Sequence, residues 1–447
     1  MMMDMTKGNP IKLILAFMGP LIIGNIFQQL YTMVDTAIVG KFVGVDALAA
    51  VGATGGLVFL VIGFVMGLTQ GMGVIVSQRF GSNDDEGVKQ AIGMSYLISG
   101  ISIVILTVLS LLFAKPLLSM MNTPENIMND SLAYVRVIFM GIGATFLYNL
   151  VASILRALGD SKTPLYFLMF ASVLNIVLDL IFIINFNMGV SGAALATVIS
   201  QGLGGLLCYF YMIRKFELVK LERQHFKYSS LLIRELLNIS LPMALQYSIT
   251  SIGVILVQGA INAFGSITVA AYTAAIRVEG LIMQPSIALG TAVATYCAQN
   301  LGARNFERIR EGVKKGFIIT IVMNIIGGIL IVSLGEHVIK LFISEQVDAV
   351  LPIAQQYLNI AAIFYPVLGL LFLYRFALQG LGNGTGTMIA GVMELIMRTI
   401  VSFTLPALLS FVGICLASPA AWIGATVWLM YSYSKTIKKV EYSLSEE

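Results

Sequence analysis

Charge is scarce in this sequence. Of its 447 residues only 11% are Asp, Glu, Lys or Arg, whereas 58% are hydrophobic and the mean hydropathy is +0.90. Soluble domains carry about 25% charged residues and about 45–50% apolar ones. A chain this apolar cannot cover itself with polar surface in water and must be solvated by lipid. Cysteine is scarcer still: Cys208, Cys297 and Cys415 lie singly in apolar runs. An odd, dispersed set makes neither a disulfide framework nor a metal spacing. The two histidines, His225 and His337, fall in loops and form no cluster. No nucleophile–base pairing, metal cluster or cofactor loop emerges, which argues against an enzyme and against a bound cofactor. The glycine-rich stretch GLGNGTG at Gly380 to Gly386 lacks the Lys-Ser/Thr ending of a phosphate-binding loop.

What is present is a series of long apolar runs. A run of about 20 residues spans a bilayer as a helix, and about twelve can be placed: 13–36, 50–78, 92–113, 132–154, 164–185, 189–214, 235–262, 268–299, 316–336, 355–378, 387–410 and 414–436. The runs are continuous rather than alternating, which disfavours a β-barrel. The expected fold is therefore an all-α polytopic membrane protein. The first run, Leu13 to Thr36, is longer than the apolar region of a secretory leader and is expected to remain as a span.

The chain also repeats itself. IKLILAFMGP at Ile11 to Pro20 corresponds to IRELLNISLP at Ile233 to Pro242, an offset of 222. Gln78-Arg79-Phe80-Gly81 corresponds to Gln299-Asn300-Leu301-Gly302, Leu158-Gly159-Asp160 to Leu381-Gly382-Asn383, and Ser191-Gly192-Ala193-Ala194 to Ser418-Pro419-Ala420-Ala421. These anchors lie at offsets of 221, 223 and 227 and in the same order. A duplicated half in a membrane protein points to a transporter with its site at the repeat interface. The expected organisation is an N-terminal six-helix lobe over 1–214, a polar, basic cytoplasmic linker over 215–234, and a C-terminal six-helix lobe over 235–447.

Lys and Arg fix the orientation. Arg214, Lys215, Lys220, Arg223, Lys227 and Arg234 crowd the central loop, and Arg304, Arg308, Arg310, Lys314 and Lys315 another. Lys7, Lys12, Arg79, Lys89, Arg156, Lys162, Lys435, Lys438 and Lys439 fall on the same side, while Lys41, Lys115 and Lys340 are the main residues opposite. The positive-inside rule then places both termini and the central loop in the cytoplasm. Topology accounts for the net charge of +4, so it does not point to nucleic acid. Six helices per half insert both halves the same way up, related by a pseudo-twofold axis along the membrane normal.

Acidic residues inside spans are functional candidates by default. Asp35 lies in QQLYTMVDTAIVG and Asp179 in VLNIVLDLIFI. Asp179 is 15 residues past Pro164, which at about 1.5 Å per residue places it roughly 22 Å along an outward-going helix. Asp35 is likewise far along the first helix, and Thr197 reaches a similar depth on a returning one. Asn175 shares a helix face with Asp179. Together these four side chains offer oxygen ligands that suit a hard cation such as Na⁺, or a proton. Two carboxylates in one poorly hydrated pocket cannot both ionise cheaply. The alternative is a hydrogen-bonded pair that pins helices together.

In the second half, Glu279 and Arg277 occur in AAIRVEGLIMQPS, and Glu394 and Arg398 in GVMELIMRTI. The last two are four apart, on one helix face, and are expected to neutralise each other or simply to fix packing. Arg375, near a cytoplasmic helix end, can snorkel and is assigned no role. Pro20 and Pro242 sit inside the first helix of each half, where a proline permits a bend: a hinge or a static kink. Gln28, Tyr31 and Gln246 are polar points on those helices and, with Glu279, Glu394 and Arg398, are candidates to line a substrate cavity. Methionines and aromatics, 23 Met and 10% aromatic, suit a pliable pocket, though most must face lipid or packing partners.

These segments resemble the multidrug and toxic compound extrusion (MATE) family, and most its DinF-like branch. The resemblance spans essentially the whole chain. Its carriers are P-x14-D from Pro20 to Asp35 with VDTAIVG, the QRFG and QNLGARN loops, RALGDSKTP at Arg156 to Pro164, NIVLD at Asn175 to Asp179, GAALAT at Gly192 to Thr197, and ASPAAWIGA at Ala417 to Ala425. It implies two six-helix lobes in a V shape and a cation-coupled antiporter that exports small organic molecules, often cationic drugs or metabolites, across the cell membrane. In that family the cation site lies in the N-terminal lobe, at positions matched here by Asp35, Asn175, Asp179 and Thr197, and the first helix bends at the position of Pro20. The C-terminal acids of another branch are not matched, since Glu279 and Glu394 sit elsewhere. Na⁺ or H⁺ is then the coupling ion, membrane lipid the surroundings, and a monomer the expected state. A lipid-linked precursor flippase and an exporter dedicated to one endogenous metabolite or peptide are the alternatives.

Overall fold

A computed structural model describes residues 3–340 and 347–445. Among the described residues fifteen α-helices run in order: α1 (Pro10–Phe42), α2 (Val45–Gly81), α3 (Asp85–Met120), α4 (Glu125–Met140), α5 (Ile142–Ala157), α6 (Lys162–Leu180), α7 (Gly189–Lys215), α8 (Ser230–Asn262), α9 (Ser266–Gly302), α10 (Phe306–Ile339), α11 (Val347–Gly380), α12 (Gly384–Thr404), α13 (Pro406–Leu409), α14 (Phe411–Cys415) and α15 (Ala417–Ser445). Among the described residues eleven helical segments are long and apolar enough to cross a membrane, and the bent pair α4–α5 makes a twelfth. All twelve correspond to the apolar runs of the sequence. The fourth run, expected as one helix, bends by 48°. Its break falls at Gly141, where a Cβ would come within 2.2 Å of the Val198 side chain of α7. Only glycine leaves room for the Val198 side chain against the backbone there.

The repeat is visible in the turns. Gly159 and Gly382 both have left-handed backbone, φ +83° and +78°. The acidic or amide residue that follows each caps the next helix. Asp160 accepts from the backbone N–H of Lys162 and Thr163 and from the Thr163 hydroxyl, at 3.0, 2.9 and 2.7 Å. Asn383 accepts from the N–H of Gly386 at 2.8 Å. Such caps satisfy N–H groups that a helix start leaves without partners. The QRFG and QNLGARN turns match in the same way, with left-handed residues at Asn83 and Arg304.

The described residues divide into two compact units. One comprises Met1–Asp4 with Gly19–Ser248, the other Met5–Met18 with Ile249–Glu447. The linker 215–234 and the first part of α8 thus belong to the first unit, and the first part of α1 to the second. Local contacts explain both assignments. In the first unit, Gly63, Gly67 and Gly71 form a stripe on α2, and a Cβ on Gly67 or Gly71 would overlap the backbone of Ala244 or Ser240 of α8. Small residues permit this close approach in a membrane, where dispersion rather than water exclusion drives helix packing. Arg79 of the QRFG turn adds an ion pair to Glu235 at 3.0 Å. The linker is anchored by His225, whose Nδ1 accepts from the Glu222 N–H at 2.8 Å while Nε2 lies 3.0 Å from Glu86. In the second unit, the QNLGARN turn holds the lead of α1. Gln299 accepts from the Met5 N–H at 2.8 Å, and Arg308 donates to the carbonyls of Met5 and Gly8 at 3.2 and 3.0 Å. Each unit therefore uses the same repeated turn to hold the lead of a first helix from the opposite end of the pattern. The division of α1 falls between Met18 and Gly19, beside Pro20.

Candidate functional site

Within the first unit three helices bring the four expected residues together. Asp35 comes from α1, Asn175 and Asp179 from α6, and Thr197 from α7. Asn175 and Asp179 are one helical turn apart and share a face. Asn175 Nδ2 donates to Thr197 Oγ1 at 3.4 Å, and that hydroxyl donates to the Ala193 carbonyl at 3.1 Å. Asp35 and Asp179 lie within hydrogen-bonding reach of each other. Asp35, Asn175 and Asp179 are all buried, Asp179 completely.

The decisive feature is what these oxygens lack. Asp35 Oδ1, Asp179 Oδ1 and Oδ2, and Asn175 Oδ1 are buried without a hydrogen-bond donor. Removing a carboxylate from water without a partner costs several kcal/mol or forces it to neutralise, and most buried polar groups in proteins are satisfied. Four unsatisfied acceptors converging from two helices, with a hydroxyl beside them, form a receptor for a cation or a shared proton. The oxygen-only donor set suits a hard ion and not a soft one. Among the described residues no group of three or more His, Cys, Asp or Glu is placed to hold a metal ion.

The surroundings isolate the site. Tyr31, one turn before Asp35, lies close to both carboxylates and to Gln201. Gln201 is in turn fixed by a bond from the Thr145 hydroxyl at 2.9 Å. Tyr134 of α4 also lies within electrostatic reach of Tyr31 and the acid pair. Beyond the acids, Ile38, Val39, Ala47, Ile183, Val190 and Ala193 form a buried apolar cluster against which Tyr134 packs. Just past Asp179 the helix widens into a π-turn over Ile181–Asn185. Such widened turns often mark functional positions, because they re-aim side chains and loosen the backbone ladder. Sequence reasoning missed Tyr134, Gln201 and this turn. Gln201 alone carried a signal, being one turn past Thr197 on the same face.

The other candidates divide between the units. Gln28 is exposed and Gln246 buried, both in the first unit, where Tyr247 donates to Gln70 at 3.2 Å. Glu279, Glu394 and Arg398 lie in the second, all buried. Their pairing corrects two expectations. Glu394 is paired with Arg375 of α11, not with Arg398, and Arg375 is buried rather than snorkelling. An i,i+4 spacing permits a contact, but an arginine on a neighbouring helix that reaches the carboxylate end-on outcompetes it. Glu279 accepts from the Tyr357 hydroxyl at 3.0 Å, and Tyr357 packs edge-on against Tyr272 with ring centroids 5.1 Å apart. Arg277 is exposed on α9.

A duplicated set of bilayer-length helices, with an oxygen-lined receptor buried in one half, defines a membrane transporter as its class. The comparisons with known proteins are specific. The MatE family pattern matches residues 20–181 and 239–404, once in each half of the repeat. Probable multidrug resistance protein YpnP of Bacillus subtilis is 33% identical over 424 residues, covering 94% of this chain and 91% of the relative. Probable multidrug resistance protein YoeA of the same organism is 29% identical over 436 residues, 95% and 93% of the two chains. A multidrug resistance MATE family transporter solved in an outward-facing conformation superposes with a TM-score of 0.91 at 25% identity, over 98% of each chain. The chain belongs to the MATE family of multidrug efflux transporters.

Proposed function

We propose that this protein is a cation-coupled antiporter, exporting small organic molecules across the cytoplasmic membrane in exchange for Na⁺ or H⁺. The carrying observation is the set of four donor-less acceptor oxygens on Asp35, Asn175 and Asp179. An incoming cation satisfies them. Because α1 supplies Asp35 and holds Pro20 fifteen residues earlier, occupancy at the site bears on the helix whose lead belongs to the other unit. Coupling requires that cation and substrate differ in affinity for two conformations of the protein. Pro20 supplies a place for α1 to bend, since proline leaves one carbonyl of the helix ladder without its donor. The lobes 1–214 and 235–447, joined by 215–234, are the moving bodies in this reading, the termini are cytoplasmic, and the transporter works as a monomer. Organic cations, drugs or metabolites, are the substrates to test first.

The hydroxyl and amide oxygens of Thr197 and Asn175 favour Na⁺ over a proton alone, since a proton needs only the carboxylates. The test is ethidium efflux from cells stripped of their own pumps. Cells expressing the wild-type protein should clear the dye, and Asp35→Asn and Asp179→Asn, at matched membrane levels, should not. Efflux intact in both variants would refute the reading.

A further inference from the structure

The two halves of the repeat place different chemistry at the same position. The offset that aligns Gly159 with Gly382 is 223, and it pairs Asn175 with Arg398 and Asp179 with Ser402. The offset of 222 that aligns Pro20 with Pro242 pairs Tyr31 with Gly253 and Asp35 with Val257. Where the first unit carries two acids and an amide, the second carries a guanidinium, a hydroxyl, a glycine and a valine.

The second unit brings these counterparts together. Arg398 and Ser402 are one turn apart on α12 and share a face. Both are more than nine-tenths buried, at 7% and 2% exposure. Arg398 Nε and Ser402 Oγ have no hydrogen-bond partner. Opposite them on α8, a Cβ on Gly253 would stand 3.4 Å from an Arg398 terminal nitrogen. The guanidinium therefore packs close to the bare glycine, where the first unit carries the larger Tyr31. Glu279 lies within electrostatic reach of Arg398 without hydrogen-bonding its Nε. Glu394 is taken by Arg375 and Glu279 by Tyr357. Among the described residues no ion pair joins Arg398 to either of them.

We propose that the second unit's copy of the cation site has inverted polarity and binds an acidic group, a carboxylate or phosphate, of the transported molecule. The guanidinium offers planar paired donors that match either group, and Ser402 adds a third donor. Val257, in place of Asp35, removes the carboxylate that would repel such a ligand. Arg398 Nε and Ser402 Oγ are buried donors without acceptors, and a buried donor left unmet is costly, so an incoming acidic group gains what the fold leaves unsatisfied. This proposal rests on the export reading, because it names a chemical class of cargo, but its test is equilibrium binding and needs no ion gradient. Failure of gradient-driven transport therefore leaves it standing, and its own failure leaves coupling at Asp35 and Asp179 standing.

The test uses the full-length protein in lipid nanodiscs and carboxyfluorescein as the acidic probe, read by fluorescence anisotropy. In phosphatidylcholine the wild type should bind the dye, Arg398→Gln should bind it at least about tenfold more weakly, and Arg398→Lys should recover part of the loss. Gly253→Leu, which places a side chain over the guanidinium while leaving Arg398 in place, should weaken binding similarly and guards against a misfolded Arg398→Gln. Replacing phosphatidylcholine by phosphatidylglycerol separates the two sources of the acidic group. Competition that depends on Arg398 would assign the site to a lipid phosphate, and its lack to a soluble acid; both sustain inverted polarity. Wild-type affinity in both Arg398→Gln and Gly253→Leu, or no dye binding by the wild type in either lipid, would overturn the proposal.

Discussion

The two units share a repeat but leave opposite kinds of atom unsatisfied. At the matched positions the first unit buries acceptors, on Asp35, Asn175 and Asp179, while the second buries donors, on Arg398 and Ser402. The turns, by contrast, have been kept in both. Gly159–Asp160 and Gly382–Asn383 adopt the same conformation and make the same cap. Duplication thus preserved what builds the helices and let the buried polar positions diverge. In a lipid-solvated bundle that divergence carries function, because an unmet polar group away from water is too costly to persist without a purpose.

The sharpest way to break the comparison is at the acids. Asp179→Asn keeps the shape of the side chain and removes its charge, so coupled efflux should fall to background while the protein still assembles, as judged by monodisperse elution in detergent. Removing a paired charge from the second unit should act on stability instead. Arg375→Met removes the ion-pair partner of Glu394, and breaking a buried pair costs about 3–5 kcal/mol. Thermal unfolding in detergent should show a large drop in Tm, and Arg375→Met combined with Glu394→Leu should recover most of it. An unchanged Tm in the single variant would show that the pair is hydrated.

Smaller effects test the shared turns. Asp160→Ala and Asn383→Ala each remove a helix cap worth about 0.5–2 kcal/mol. Asp160→Ala should be the worse, since its side chain accepts from two backbone N–H groups and a hydroxyl. The smallest difference separates the two first-helix anchors. Arg79 holds Glu235 through an exposed pair, worth about 0–1 kcal/mol. Arg308 instead bonds two backbone carbonyls and Asn300 Oδ1. Arg308→Ala should therefore lower Tm more than Arg79→Ala, and equal shifts would mean the anchors are equivalent.

Much of this was legible in the sequence because membrane helices announce themselves locally. Twelve apolar runs gave twelve spans, and counting along the helices put Asp35, Asp179 and Thr197 at similar depth, while their grouping in one site came from the family resemblance. Asn175 followed from its spacing to Asp179. What stayed hidden depends on partners distant in the chain. The bend at Gly141 is explained by Val198, and Arg375 is buried because Glu394 of the next long helix meets it. An i,i+4 rule correctly put Glu394 and Arg398 on one face but said nothing of competitors across the groove. The lead of α1 joins the second unit through Gln299 and Arg308, nearly 300 residues away in sequence. The π-turn after Asp179 left no sequence mark, since IFIIN reads as an ordinary apolar helix.

The most direct test of the central claim is transport by purified protein in proteoliposomes, with an inward Na⁺ gradient or an inward proton gradient imposed separately. The account predicts that one of these gradients drives ethidium transport by the wild type, and that the double variant Asp35→Asn, Asp179→Asn gives none under either. Equal transport by wild type and double variant, or wild-type transport indifferent to both gradients, would contradict it.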